Sequence, residues 1–110
     1  MPTCDIEFYT TDAGNAPVEK YLDELPEKDA KEISAALRQF ALYKTDSVVE
    51  SKPIHPPLYE LKIKQHRLLY AEFDGVVVLF HAFLKKSRKT PIKEIDAATR
   101  RLKIEQRRRR

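Results

Sequence analysis

Leu58-Tyr59-Glu60-Leu61-Lys62-Ile63-Lys64, Arg67-Leu68-Leu69-Tyr70-Ala71-Glu72-Phe73 and Val76-Val77-Val78-Leu79-Phe80-His81-Ala82-Phe83-Leu84 are three strand-like runs in succession. The joints between them, Gln65-His66 and Asp74-Gly75, are two residues long. Asp-Gly between apolar runs is a strong hairpin signal, because both residues accept the positive φ that a two-residue turn demands. The first run alternates, with Leu61 and Ile63 set between Glu60, Lys62 and Lys64. That is the period of a strand with one covered face. The last run is apolar throughout, which predicts a strand inside the sheet with cover on both faces. A three-stranded antiparallel meander is therefore the frame of the fold.

Upstream, residues 3–10 alternate, with Cys4, Ile6 and Phe8 on one side, and predict a further strand. Asp12-Ala13-Gly14-Asn15 is a turn. Val18, Tyr21, Leu22 and Leu25 then follow helical spacing. Pro26 ends that helix and can open the next, where Glu27 and Asp29 complement the positive end of the helix dipole. Ile33, Leu37, Phe40 and Ala41 predict a helix over 27–43. Residues 44–57 contain Pro53, Pro56 and Pro57 and read as a loop without regular structure. Downstream, Thr90 is placed as cap and Pro91 as first residue of a helix whose weak apolar stripe is Ile92, Ile95, Ala98 and Leu102. The expected fold is α+β: an N-terminal strand, a helical hairpin, a three-stranded antiparallel meander and a C-terminal helix, with the helices packed on one face of the sheet. Residues 1–106 form the single domain, and Arg107 to Arg110 a frayed basic tail.

The 110 residues include one cysteine, Cys4, so no internal disulfide is available, and no Cys/His spacing suggests a metal. No cofactor motif is visible. No apolar run approaches the ~20 residues of a membrane span, and Met1 to Asp5 lacks the pattern of a signal peptide. The expectation is a cytoplasmic protein. Charge is more informative. The net is +4, but residues 1–84 hold 9 basic and 14 acidic residues, whereas residues 85–110 hold 12 basic and 3 acidic. A basic segment on an acidic body points to a polyanionic partner, or to a solvated tail.

Leu58 to Ile63, Arg67-Leu68-Leu69-Tyr70, Val78 to Pro91 with its Lys85-Lys86-Ser87-Arg88-Lys89 loop, and Glu94-Ile95 with Ala97-Ala98 together resemble the phage-derived HigB-like branch of the RelE/ParE toxin superfamily. The match covers about residues 57–100; upstream only the order of elements agrees. The resemblance implies a RelE-like fold and a toxin of a type II toxin–antitoxin system. It also implies a ribosome-dependent mRNA endonuclease (an mRNA interferase, a hydrolase that inhibits translation) and a small helix-turn-helix antitoxin as partner. The basic residues that bind and cleave RNA in that superfamily match, by position, Lys62, Lys64, Arg67, Lys85, Lys86 and Arg88. The stretch Lys85 to Pro91 carries neither the tyrosine of RelE toxins nor the histidines of other HigB enzymes, so the acid and base stay open.

Metal-free RNA cleavage needs a base for the 2′-hydroxyl, positive charge for the phosphorane and an acid for the leaving 5′-oxygen. Arg67 is assigned the phosphate clamp, because a guanidinium fork grips two oxygens and stays charged. Lys85 or Lys86 is preferred as acid or base, with Lys62 in the catalytic set, since crowded ammonium groups lose basicity. Lys64, Arg88, Lys89 and Tyr70 are nucleic-acid-binding candidates, although Tyr59 and Tyr70 also suit plain packing. Glu60 is read as a cross-strand partner of a lysine before a base, and His81 as a hydrogen-bonded histidine before a catalytic one. His55 and His66 are assigned no role. Two alternatives share these residues: a ParE-like inhibitor of DNA gyrase, and a non-catalytic nucleic-acid-binding module.

Overall fold

The computed structural model describes residues 4–110. The elements in chain order are β1 (Asp5–Phe8), α1 (Pro17–Asp23), α2 (Glu27–Tyr43), β2 (Glu50–His55), β3 (Leu58–Ile63), β4 (His66–Phe73), β5 (Val76–Leu84) and α3 (Ile92–Arg108). The strands form one sheet in the order β1-β5-β4-β3-β2. The meander β3-β4-β5 is antiparallel, as the two-residue joints require. Helix α2 spans the residues its stripe marks out. Thr3, at the start of the expected first strand, lies outside the described residues.

Three expectations are corrected. First, the sheet is mixed and five-stranded, because β1 pairs parallel to β5, with Ile6 opposite Val77 and Phe8 opposite Leu79. Second, Glu50–His55 is a strand, not loop. Its proline is tolerated because β2 is an edge strand, needing only part of its amides for the ladder, and the register shifts between Pro53 and His55. Third, the helices do not share one face. Val18 of α1 and Ile33, Leu37 and Phe40 of α2 pack on Leu61, Leu68, Val77 and Leu79. On the other face Ala98 and Leu102 of α3 pack on Leu58, Leu69, Ala71, Val78 and Phe80. The reason lies in the strands. Leu68-Leu69-Tyr70-Ala71 and Val77-Val78-Leu79-Phe80 are all buried. A run apolar on both faces needs cover on both, and α3 supplies the second layer.

The end of the chain also differs from a frayed tail. Helix α3 continues through Arg108. Arg108 donates to the Thr10 carbonyl at 2.8 Å and to Asp12 at 2.8 Å, and Arg109 to Glu105 at 2.7 Å and Glu7 at 3.1 Å. Glu105, 9% exposed, accepts from both arginines, which themselves tie the last turn to the start of the chain.

Candidate nucleic-acid interface

The pleat puts Lys62, Glu60 and Arg67 on the α3 side of the sheet. Lys62 stands opposite Glu50 on one side and Arg67 on the other, and Arg67 stands opposite Phe83. Lys85, two residues on from Phe83, joins them only because of a β-bulge. Leu69 pairs with His81 while Tyr70 pairs with Leu79, so Phe80 is an extra residue. Before the bulge Val76, Val78 and Phe80 face α3, and after it His81 and Phe83 do. An unbulged strand would turn His81, Phe83 and Lys85 to the opposite side.

Helix α3 covers the lower part of this face and leaves the upper part open. There Glu50, Lys52, Glu60, Lys62, Arg67 and Lys85 line a cleft of about 80 Å³. It opens over Arg67 and Lys85 into a shallow hollow of about 630 Å³, lined also by Gln65, Lys86, Ser87 and Arg88. The cleft is sized for a group such as a phosphate, and the hollow for a nucleotide, within the range of small-molecule pockets.

Arg67 is 8% exposed. Its Nη1 donates to the carbonyls of Lys64 at 2.7 Å and His66 at 3.0 Å, in the turn between β3 and β4. These bonds fix the guanidinium plane. Among the described residues Nε and Nη2 have no protein partner, and no unpartnered side-chain nitrogen is fully buried, so these donors keep some contact with solvent where Arg67 borders the cleft and the hollow. Such a fork is pre-oriented for an anion.

Glu60, 2% exposed, forms the cleft floor. It accepts from the Thr90 hydroxyl at 2.6 Å, and its other oxygen lies 3.5 Å from the Lys52 ammonium. The cross-strand lysine is therefore on β2, the strand hidden behind prolines. Thr90 is not a helix cap: no side-chain cap bond forms at the start of α3. Its hydroxyl instead ties the end of the Lys85–Lys89 loop to the sheet.

His81 is held at both ring nitrogens. Arg101 Nη1 donates to Nδ1 at 3.0 Å and to the Phe80 carbonyl at 2.8 Å, so Nε2 carries the proton and donates to Glu94 at 2.6 Å. Burial pulls the His81 pKa below 6.5, against the Glu94 contact, which raises it. The folded state thus favours neutral His81. That stability is present above pH 6.5 and is lost as pH falls from there through the folded pKa. Between about pH 7 and pH 5 the melting temperature should therefore fall more steeply for the native chain than for a His81→Gln variant. Parallel slopes would refute the assignment.

Three sequence candidates stand apart. Lys64 has φ 55° in the β3–β4 turn, which breaks the alternation, and its ammonium pairs at 2.7 Å with Glu32 of α2, on the far side of the sheet. Tyr70 also lies on that side, 6% exposed, in edge contact with Phe40 and bonded to Ser51 at 2.7 Å. Lys89 is exposed on the loop, outside the lining of the hollow. Sequence reasoning assigns Lys52 and Arg101 no role, and it marks Thr90 only as a helix cap and Glu94 only within the family likeness.

Among the described residues, no helix is long and apolar enough to cross a membrane. The family model described as phage-derived protein Gp49-like (DUF891) matches residues 20–103, which takes in α2, β2 to β5 and most of α3. No curated protein matches the chain.

Proposed function

Because the chain belongs to the family of phage-derived Gp49-like proteins, we propose that it is the toxin of a toxin–antitoxin pair and an endonuclease of messenger RNA on the ribosome. The observation that carries this reading is the convergence of Lys62, Arg67, Lys85, Lys86 and Arg88 on one cleft and hollow. Five cations around a space that size suit a ribonucleotide backbone. The finer likeness to HigB-like toxins, noted from residues 57–100, agrees with that use.

In this mechanism Arg67 grips the scissile phosphate through Nε and Nη2 and neutralises the phosphorane. The 2′-hydroxyl of the same ribose attacks phosphorus. The 5′-oxygen leaves, giving a cyclic phosphate and a free 5′-hydroxyl. The base that takes the 2′ proton and the acid that supplies the leaving oxygen are drawn from Lys85 and Lys86, which border both spaces or the hollow alone. Lys62 and Arg88 hold flanking phosphates. The antitoxin is a small helix-turn-helix protein, and the site of action is the cytoplasm.

Cleavage of a reporter message in a translation extract tests the proton-transfer roles. Lys85→Ala or Lys86→Ala should slow the chemical step by about 10²-fold or more, the contribution of a positioned acid or base. A loss of apparent affinity alone, with the saturated rate intact, would reduce both lysines to phosphate contacts.

A further inference from the structure

The cations of α3, together with Arg109, the residue that follows it, fall into two groups. Arg101, Arg108 and Arg109 turn inward and are bonded to the body of the protein. Lys93, Arg100, Lys103 and Arg107 are exposed, and none has a carboxylate or other hydrogen-bond partner among the described residues. The helix presents Ile95, Ala98, Leu102 and Glu105 to the body of the protein, and the four unpaired cations lie on the reverse side. Lys93, Arg100 and Arg107 recur every seven residues, nearly two full turns, so they form one line with Lys103 beside it. From Lys93 to Arg107 the line is ~21 Å long at 1.5 Å per residue. Only Asp96 interrupts it.

The line begins close to the cleft. It starts three residues after Thr90, whose hydroxyl is bonded to Glu60 on the cleft floor. A run of unpaired cations leading away from a cationic cleft is an electrostatic track for a chain of phosphates. We propose that the outer face of α3 is a second phosphate-binding surface, which holds the RNA backbone where it passes beyond the cleft. This rests on the RNA-cleaving reading of the cleft and adds a site outside it. The surface reads no sequence, because it meets phosphates and not base edges. It sets how long an RNA must be to bind fully.

The test uses the full chain and two fluorescent RNAs, a hexanucleotide that only the cleft can hold and a twenty-nucleotide strand that can reach both surfaces. The variant carries Lys93→Gln, Arg100→Gln, Lys103→Gln and Arg107→Gln, substitutions at exposed positions that keep helix propensity. It should bind the hexanucleotide like the native chain and the longer strand at least about tenfold more weakly at about 100 mM salt. Its plot of log affinity against log salt should be flatter by about 3, since each single-strand phosphate contact contributes ~0.7. A chain that keeps Lys93 and Lys103 and carries Arg100→Lys with Arg107→Lys, and so keeps all four charges, should match the native chain in both quantities. Equal affinity and slope on the longer strand would overturn the second surface while leaving the cleft intact. If Arg67→Ala fails to weaken the hexanucleotide, or if neither RNA binds the native chain, the reading of the cleft falls as well.

Discussion

Replacing Arg67 with alanine should lower RNA cleavage by about 10²–10³-fold, ~3–4 kcal/mol of transition-state stabilisation, the scale for losing one fixed donor aimed at developing charge. The size of the effect follows from how Arg67 is held. Two backbone carbonyls bind Nη1, so the remaining donors are oriented before RNA arrives and no reorganisation is needed during reaction. Arg67→Lys should recover little, because a single ammonium cannot satisfy the turn carbonyls and grip two phosphate oxygens together. The measurement is the saturated cleavage rate, taken well below the melting temperature of each variant, with growth arrest on induced expression as its cellular counterpart. Native-like rates from the alanine variant would remove the phosphate clamp from the mechanism.

The second large effect is expected at Glu60, and it is one of stability. Its carboxylate is 2% exposed and sits among Lys52, Lys62, Arg67 and Lys85. Glu60→Ala removes a charge-assisted hydrogen bond from Thr90, worth about 1.5–3 kcal/mol, and leaves the buried Arg67 without the nearest buried negative charge. Lys52 is half exposed, so its share of the pair is small. A loss of about 2–3 kcal/mol should lower the melting temperature by on the order of 10 °C for a domain of this size. Glu60→Gln keeps the shape and the bond to Thr90 but not the charge. It should lose less, and added sulfate should raise its melting temperature more than that of the native chain, because an anion in the cleft replaces the missing carboxylate. An alanine variant as stable as the native chain, or no extra response to sulfate in the glutamine variant, would show that Glu60 does not balance this cluster.

Much of the candidate site was legible in the residues themselves. Alternation in β3 puts Glu60 and Lys62 on one face, and a two-residue turn brings Arg67 opposite Lys62. The same alternation separates Tyr70 from Arg67, since an odd spacing along a strand means opposite faces. Lys64 shares the parity of Lys62 and still leaves the site, because a left-handed turn residue does not obey the pleat. Lys52 was obscured by Pro53, which rules out an interior strand but not an edge. Lys85 could not be placed at all from its own segment. In Val76 to Leu84 every position but His81 is apolar, so an extra residue in the run leaves no mark on the pattern.

By itself the sequence determined the meander, the span of α2 and the basic character of the chain's end. Those properties are local: they depend on period, turn chemistry and charge within a few residues. Tertiary structure alone decided that β1 and β2 complete the sheet, that α3 closes its second face, and that the bulge at Phe80 turns Lys85 toward Arg67. Each of these is a choice between partners far apart in the chain, and it is made by which arrangement buries the apolar faces of β4 and β5 on both sides.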